Sequence, residues 1–361
     1  MKAAILREVK QPLQIEQAEI SKPGPREVLI RTVAVGVCHS DVHMADGAWP
    51  MRLPTIPGHE AAGIVEQVGA DVTYVKPGDH VITCPSVFCG HCEHCLTGHM
   101  SLCTSKETQR GRDEEPRLTL DGRYMTQFGG LSAFAEKMLV HEHALVKIRE
   151  DMPLDRAALI GCGVMTGAGA AINTAKVEPG STVAVIGCGG IGLSAINGAA
   201  IAGAGRIIAI DMLGAKLNLA RQFGATDVID ASQGNVVEQV RELTGGGVHY
   251  SFEAIGLKQT AEDAFKMVGT GGVATVIGMI PMGTMVAVHG AELLQEKRLQ
   301  GSLMGSNRFR VDMPRLVDFY LDGRLHLDEM ISDHIRLEDI NQAFDNLREG
   351  GVARQIIMMD S

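Results

Sequence analysis

Residues 89 to 103 read Cys89-x2-Cys92-x2-Cys95-x7-Cys103, four thiols in fifteen positions. Four soft ligands complete a tetrahedral zinc shell and leave no open position for a substrate, so the set reads as a structural staple for a lobe spanning residues 84–105. An iron–sulfur cluster is the competing assignment. The ferredoxin run closes on a three-residue gap and a proline, whereas here the last gap is seven residues and Thr104 follows. His91 and His94 lie inside the run, and with the shell already filled they read as solvated loop residues.

A metal centre that does chemistry needs an open position. The sequence offers ligand types for one in three separate places: Cys38-His39-Ser40-Asp41, Gly58-His59-Glu60 and Gly161-Cys162-Gly163. Two cysteines and a histidine form one of the open zinc spheres, with water or substrate in the fourth position. Spacing alone does not bring the three together. Lone cysteines also pack as small hydrophobes, and from the residues themselves both readings stand.

A third group is Gly187-Cys188-Gly189-Gly190-Ile191-Gly192, a G-x-G-x-x-G between a strand-like run and a helix-like run. Asp211 ends the next strand, 19 residues after Gly192. Gly187 permits the tight turn, Gly189 lets backbone approach a pyrophosphate, and Gly192 lets helix pack on strand; Gly190 and Ile191 open the helix that faces the phosphates. The carboxylate of Asp211 would bind ribose hydroxyls and repel a 2′-phosphate, which favours NAD over NADP. Cys188 is a spacer. A glycine-rich turn that binds no nucleotide is the alternative, and the placement of Asp211 argues against it.

These groups have to be held by elements. At 361 residues the chain exceeds one compact core, so two domains are expected. The first ~160 residues read as short strands and turns: Val28–Val37, Gly63–Val68 and His80–Thr83, with a turn at 76–79. The polar segment Ser105–Arg123 reads as a surface excursion. After Pro179-Gly180, strand-like runs (Thr182–Ile186, Arg206–Asp211, Asp227–Ile229, His249–Glu253, Gly272–Ile277) alternate with helical ones, which indicates a parallel, doubly wound α/β sheet. Met313–Leu321 is an amphipathic stretch. Ser181–Gly205 has no charged residue and is long enough to span a bilayer, but the glycine turn breaks it into strand, turn and helix.

With 33 basic and 43 acidic residues the net charge is −10, which excludes a phosphate-backbone partner; neither nucleic-acid nor membrane binding is expected. The start, MKAAILREVK, lacks the apolar core of a signal peptide, so a cytoplasmic protein is expected. In that compartment eight cysteines point to metal or catalysis rather than disulfides.

Over essentially the whole chain, three features in order resemble the zinc-dependent medium-chain alcohol dehydrogenases: Gly58-His59-Glu60-x2-Gly63-x5-Gly69-x2-Val72, the four-cysteine lobe and the glycine turn. The resemblance implies a GroES-like β-rich catalytic domain (1–163 and 303–361) and a Rossmann domain (164–302). It implies two zinc ions per chain, one structural and one held by Cys38, His59 and Cys162, together with NAD. Asp41 would orient His59, and Glu60 would stand behind the metal as an alternate ligand. Ser40 and His43 match proton-relay positions. Thr166, Arg354 and Lys216 match coenzyme contacts. His39 stands where many relatives carry arginine beside the pyrophosphate, which implies weaker coenzyme binding. Trp49 and Pro85 would line the substrate pocket and suit primary aliphatic, allylic or aromatic alcohols.

The implied reaction is reversible oxidation of such alcohols to aldehydes by hydride transfer. A glutathione-dependent formaldehyde dehydrogenase is the nearest alternative, although 46–53 lacks the acidic pair expected after its glycine and only the excursion at 105–123 is left to supply charges. A non-catalytic, zinc-stapled NAD-binding protein is the alternative from another class. A homodimer or homotetramer is expected, formed through the sheet edge near 285–303.

Overall fold

The computed structural model describes every residue except Pro50, Arg112, Gly351 and Ser361. The chain divides into two compact units. One comprises Met1–Cys162, Arg308–Leu321 and Met330–Ser361; the other comprises Gly163–Asn307 and Asp322–Glu329.

The first unit is organised around the strand Glu27–Gly36, whose valines, isoleucine and threonine suit a pleated, buried position. It pairs antiparallel with Glu60–Val68, Lys137–His141 and Arg354–Met358. The register sets Gly36 opposite both Glu60 and Ile356, so the chain at Cys38, at His59 and at Arg354 emerges at one end of the sheet. A glycine is required at Gly36, because a Cβ there would lie 2.5 Å from Glu60 Oε1. Ile30, Val35, Ile56, Leu131, Phe134 and Phe344 form the core of this unit.

The polar segment 105–123 is exposed over much of its length, as expected of a surface excursion, but part of it is anchored in the protein. Leu118 and Leu120 are buried in the strand Leu118–Leu120. Ahead of them, Arg110 and Arg117 both reach the carboxylate of Glu27, with Arg110 Nε 3.0 Å and Arg117 Nε 2.7 Å from Oε1. The cause is burial: Glu27 is 5% exposed, and a carboxylate that deep needs charged donors around it. Burial pushes its pKa up, but the two guanidiniums outweigh that and hold it below the ordinary carboxylate range.

The second unit holds a six-stranded parallel sheet in the order Asp227–Asp230, Arg206–Asp211, Thr182–Ile186, Val248–Glu253, Val268–Val276, Arg298–Gly301. Numbered along the chain this is 3-2-1-4-5-6, the doubly wound order whose reversal point lies between the first and fourth strands. The helix Gly190–Ile201 mixes glycine and alanine with isoleucine and leucine and is buried along most of its length, so it packs closely with no charged face. Residues 303–307 and 322–329 pack with this unit, a different partition from the sequence boundary at 302/303. The reason is local: Asn173 donates to Gly305 O, while Asn197 donates to Arg324 O and accepts from the His326 N–H. Among the described residues one helix, Leu154–Thr174, is long and apolar enough to cross a membrane; 83% of its apolar window is buried within the protein, as a core helix would be.

Candidate active site and metal centres

Cys38, His59 and Cys162 come together from three parts of the first unit, all buried, with their ligand atoms within 4.8 Å of one another. Cys38 follows the central strand as the residue before the helix His39–Ala45, and His59 precedes the strand that begins at Glu60. Cys162 sits in Ile160–Val164, a widened π-type turn. Such a turn shifts one side chain out of the regular helical stagger and is frequent at functional sites. His59 Nε2 lies 3.2 Å from Cys162 Sγ and 3.1 Å from Ser40 Oγ, and Ser40 Oγ lies 3.1 Å from Cys38 Sγ.

The ring of His59 is fixed from behind. Its Nδ1 donates to Asp41 Oδ1 at 3.0 Å, which leaves Nε2 directed at the thiols. Asp41 is fully buried and also accepts from the Gly58 N–H at 3.0 Å and the Cys38 N–H at 3.3 Å. One carboxylate therefore orients both a ligand ring and the backbone that carries a second ligand. Burial alone would lower the imidazole pKa, but Asp41 and Cys38 outweigh it and hold the pKa well above its ordinary value. The Cys162 thiol beside it, with burial opposing, holds the Cys38 thiol well below the ordinary range, while Cys162 is pushed up by the same neighbour. Two thiols and an imidazole competing for protons in a buried space are a donor set that suits a divalent, thiophilic ion.

Arg354 and Glu60 lie behind the cluster. Arg354 Nε is 3.4 Å from Glu60 Oε1, an ion pair without hydrogen-bond alignment, and Arg354 Nη2 is 3.9 Å from Cys38 Sγ. The guanidinium is 3% exposed, so the structure sets it against the ligand cluster rather than on an open surface.

Of the proposed relay, Ser40 is in the cluster itself. His43 stands one helical turn on, half-buried, its ring centroid 5.8 Å from that of the exposed His39. Pro85 and His59 both adjoin Gly129, whose Cβ would lie 3.3 Å from Pro85 Cβ and 3.9 Å from His59 Cβ. Trp49 follows the helix end and is 39% exposed, which does not suit a packing anchor. Sequence reasoning missed Phe128, whose ring meets His59 edge-on at 5.3 Å. Its only signal is the following Gly129-Gly130, a turn with positive φ that brings it beside the site.

The four-cysteine run also gathers, with sulfurs 3.4 Å apart for Cys92–Cys95, 3.8 Å for Cys92–Cys103 and 3.9 Å for Cys89–Cys95. A tetrahedron with Zn–S bonds of about 2.3 Å has edges of about 3.8 Å. Backbone N–H groups of Cys89 and Cys92 point at Cys103 Sγ and Cys89 Sγ, each at 3.4 Å. Backbone donation near His91 draws Cys89 down to about 6, and burial pushes Cys95 up to about 12. His91 pairs with Glu107 at 2.5 Å, the two lying with Cys89 Sγ within 4.8 Å of one another at the exposed edge of the run, and His94 is exposed.

In the second unit the glycine turn fits a dinucleotide. A Cβ on Gly192 would overlap the Gly187 carbonyl oxygen, and Gly187 itself has φ 92°. Nothing lies within 4 Å of a Cβ placed on Gly189, the space a pyrophosphate requires. Asp211 sits beside the turn, its Oδ2 accepting the Cys188 N–H at 2.8 Å and its Oδ1 the Leu213 N–H at 3.0 Å. Gly190 and Ile191 open the helix, and Lys216 is half-buried in the helix Gly214–Gln222. Thr166 is buried, with its Oγ1 3.5 Å from Met304 Sδ. Cys188 is buried, and burial pushes its thiol up to about 12, an inert spacer.

A buried Cys2His donor set that could hold a metal ion, in a chain whose second unit has the doubly wound order of nucleotide-binding folds, is the arrangement of a metal-assisted dehydrogenase. Residues 24–150 match the alcohol dehydrogenase GroES-like domain and residues 190–321 the zinc-binding dehydrogenase domain. The chain is 38% identical to the S-(hydroxymethyl)glutathione dehydrogenase of Paracoccus denitrificans, over 99% of each protein. It is 37% identical to alcohol dehydrogenase 1 of Pisum sativum, over 99% of this chain and 97% of that one. Its structure superposes on the crystal structure of benzyl alcohol dehydrogenase from Acinetobacter calcoaceticus with a TM-score of 0.94 at 32% identity, covering 99% of both chains. The chain belongs to the zinc-dependent medium-chain alcohol dehydrogenase family. It is a zinc- and NAD-dependent oxidoreductase with a GroES-like domain and a Rossmann domain.

Proposed function

We propose that this enzyme interconverts primary alcohols and aldehydes with NAD. The convergence of Cys38, His59 and Cys162 with the Ser40 hydroxyl among them carries this reading. These three residues would hold the catalytic zinc, and Cys89, Cys92, Cys95 and Cys103 the structural one. Zinc, when bound, supplies a Lewis acid, and NAD supplies the hydride acceptor.

The chain's own residues do the rest. Asp41 holds the tautomer and aim of His59. Glu60, ion-paired with Arg354 behind the ligands, offsets charge there and is the candidate alternate ligand. Ser40 Oγ is placed to accept the alcohol proton. His43, one turn further along the same helix and half-buried, is placed to carry it towards solvent. Trp49, Pro85 and Phe128 supply apolar pocket wall. In the coenzyme site, Gly187, Gly189 and Gly192 leave room for the pyrophosphate, and Asp211 selects NAD by its charge. Thr166, Lys216, His39 and Arg354 are further coenzyme contacts in this reading.

The glutathione-dependent reading is disfavoured by Glu27. Arg110 and Arg117, two arginines of the 105–123 segment, are turned inward to it and so are withheld from a glutathione carboxylate, which leaves Lys106 and Arg123 as its exposed cations among the described residues. An NADH-formation panel tests the choice, using aliphatic, allylic, benzylic and secondary alcohols, and formaldehyde with glutathione. Turnover of a primary class supports the proposal, and activity with the glutathione adduct alone overturns it. One zinc per chain instead of two would favour a stapled, non-catalytic binder. A dimer or tetramer is also proposed. The outer strand Arg298–Gly301 is the edge of its sheet, and exposed Met285, Leu293, Leu294 and Leu303 flank it, a surface suited to a second copy.

A further inference from the structure

Glu253 ends the strand Val248–Glu253 and is fully buried. Its Oε1 accepts three hydrogen bonds, from the Ile255 N–H (2.9 Å), the Gly256 N–H (2.7 Å) and the Thr260 hydroxyl (2.8 Å). Its Oε2 is buried with no hydrogen-bond partner. Gly278 leaves room for that oxygen, since a Cβ there would lie 2.6 Å from it. The backbone of the same residue ties neighbouring strand ends together. Glu253 O accepts the N–H groups of Ile277 and Gly278, and the next residue, Ala254, donates to Ile186 O.

The turn that this carboxylate holds, residues 254–257, lies against the glycine turn. A Cβ on Gly187 would be 2.6 Å from Ile255 Cγ1, and one on Gly192 would be 3.6 Å from Ala254 Cβ. Ile255 and Leu257 are nevertheless 47% and 53% exposed, large apolar side chains left uncovered at the carboxyl ends of the strands, where an open parallel sheet takes its ligand. An Asn or Ser would serve an ordinary turn of this kind without burying a second, idle oxygen. A carboxylate so close to a dianionic pyrophosphate would repel it unless its charge were absorbed. The three donors on Oε1 offset that charge.

We propose that Glu253 is a coenzyme-positioning residue: its carboxylate fixes the 254–257 turn against the glycine turn, so that Ile255 and its neighbours form a preset apolar floor for the dinucleotide. This rests on the reading of the second unit as the NAD site. Without the carboxylate the turn must be ordered when coenzyme binds, and that cost falls on coenzyme affinity rather than on the hydride step.

The test is NADH titration of the full-length, zinc-loaded enzyme by fluorescence, with steady-state kinetics alongside. A wild-type enzyme that fails to bind NADH refutes the coenzyme reading itself. Given wild-type binding, Glu253→Ala should raise the NADH Kd and the KM for NAD about 10-fold, with kcat at saturating NAD within about 2-fold and the alcohol KM unmoved. Glu253→Gln retains an acceptor for the three donors and should recover binding to within about 3-fold of wild type. A folded Glu253→Ala that loses thermal stability yet binds NADH as wild type does would overturn the proposal, since that is what a purely structural role predicts. Should Glu253→Ala not fold, Thr260→Val removes one donor and should weaken NADH about 3-fold; an unchanged Kd there overturns it equally.

Discussion

Replacing Asp41 by asparagine removes one charge and almost no volume from beneath the ligand cluster. In the native arrangement the two carboxylate oxygens accept three N–H groups, from His59, Gly58 and Cys38. An asparagine offers one oxygen and an NH2 group, so at least one of those donors faces another donor in a site with 0% exposure. Loss of a partner that orients a liganding histidine costs about 10–100-fold in metal affinity or activity, or about 1.4–2.8 kcal/mol. The structural site is an internal control, because its four cysteines lie on a separate lobe. The assay is zinc release to a chromogenic chelator, followed by kcat/KM for an alcohol. One zinc should leave Asp41→Asn at chelator concentrations about 10–100-fold lower than in wild type, while the other is retained unchanged. If both zincs resist the chelator as in wild type and kcat/KM is unaltered, the carboxylate does not orient the ligand and the reasoning fails.

Cys92→Ser should lower the zinc count from two to one and destabilise the 84–105 lobe, read as reduced Tm and faster proteolysis there, since structural zinc contributes folding energy outright. Asp211→Ala removes the charge proposed to repel a 2′-phosphate, so the ratio of kcat/KM for NAD to that for NADP should fall by about 10-fold or more; an unmoved ratio refutes that role. His141 is pushed down to about 4, first by burial and then by His143, Arg26 and Arg117, and its Nδ1 accepts the His143 N–H as a neutral ring must. Its folded pKa lies below the unfolded value of about 6.5, so the unfolded chain binds more protons between the two. The contribution is complete above about pH 6.5 and is lost as pH falls towards 4, amounting at most to about 3 kcal/mol for a pKa lowered by roughly 2.5. Urea unfolding followed by Trp49, which lies in the same unit, should show that slope flattened in His141→Gln.

Legibility in the sequence followed the range of the interactions. Thr182–Ile186 and Arg206–Asp211 match the structure residue for residue, because buried parallel strands are short β-branched runs closed by glycine or a charged residue. The strand after His59 starts at Glu60, three residues before the expected Gly63. Ala61 and Ala62 carry little strand signal, and pairing with Val35 and Ala34 places them in the sheet. Local metal spacing at 89–103 was readable for the same reason. The meeting of Cys38 and His59 with Cys162, over a hundred residues away, depends on strand register and a widened turn, which only the resemblance anticipated. Neither the triple acceptance at Glu253 nor the inward aim of Arg110 and Arg117 has any local signature, since each is decided by which charge the fold buries.

The joint at Glu27 bears on how this enzyme can be re-engineered or drift. The segment 105–123 looks like the natural cassette to exchange with a relative in order to import a new specificity. Its two arginines, however, are the counter-charges of a carboxylate that belongs to the central strand, not to the loop. A graft lacking them would strand that carboxylate inside the protein, and breaking a buried pair in this way costs about 3–5 kcal/mol. Glu27, Arg110 and Arg117 therefore form one inherited unit, and loop transplants should carry a neutral residue at position 27 or keep both arginines.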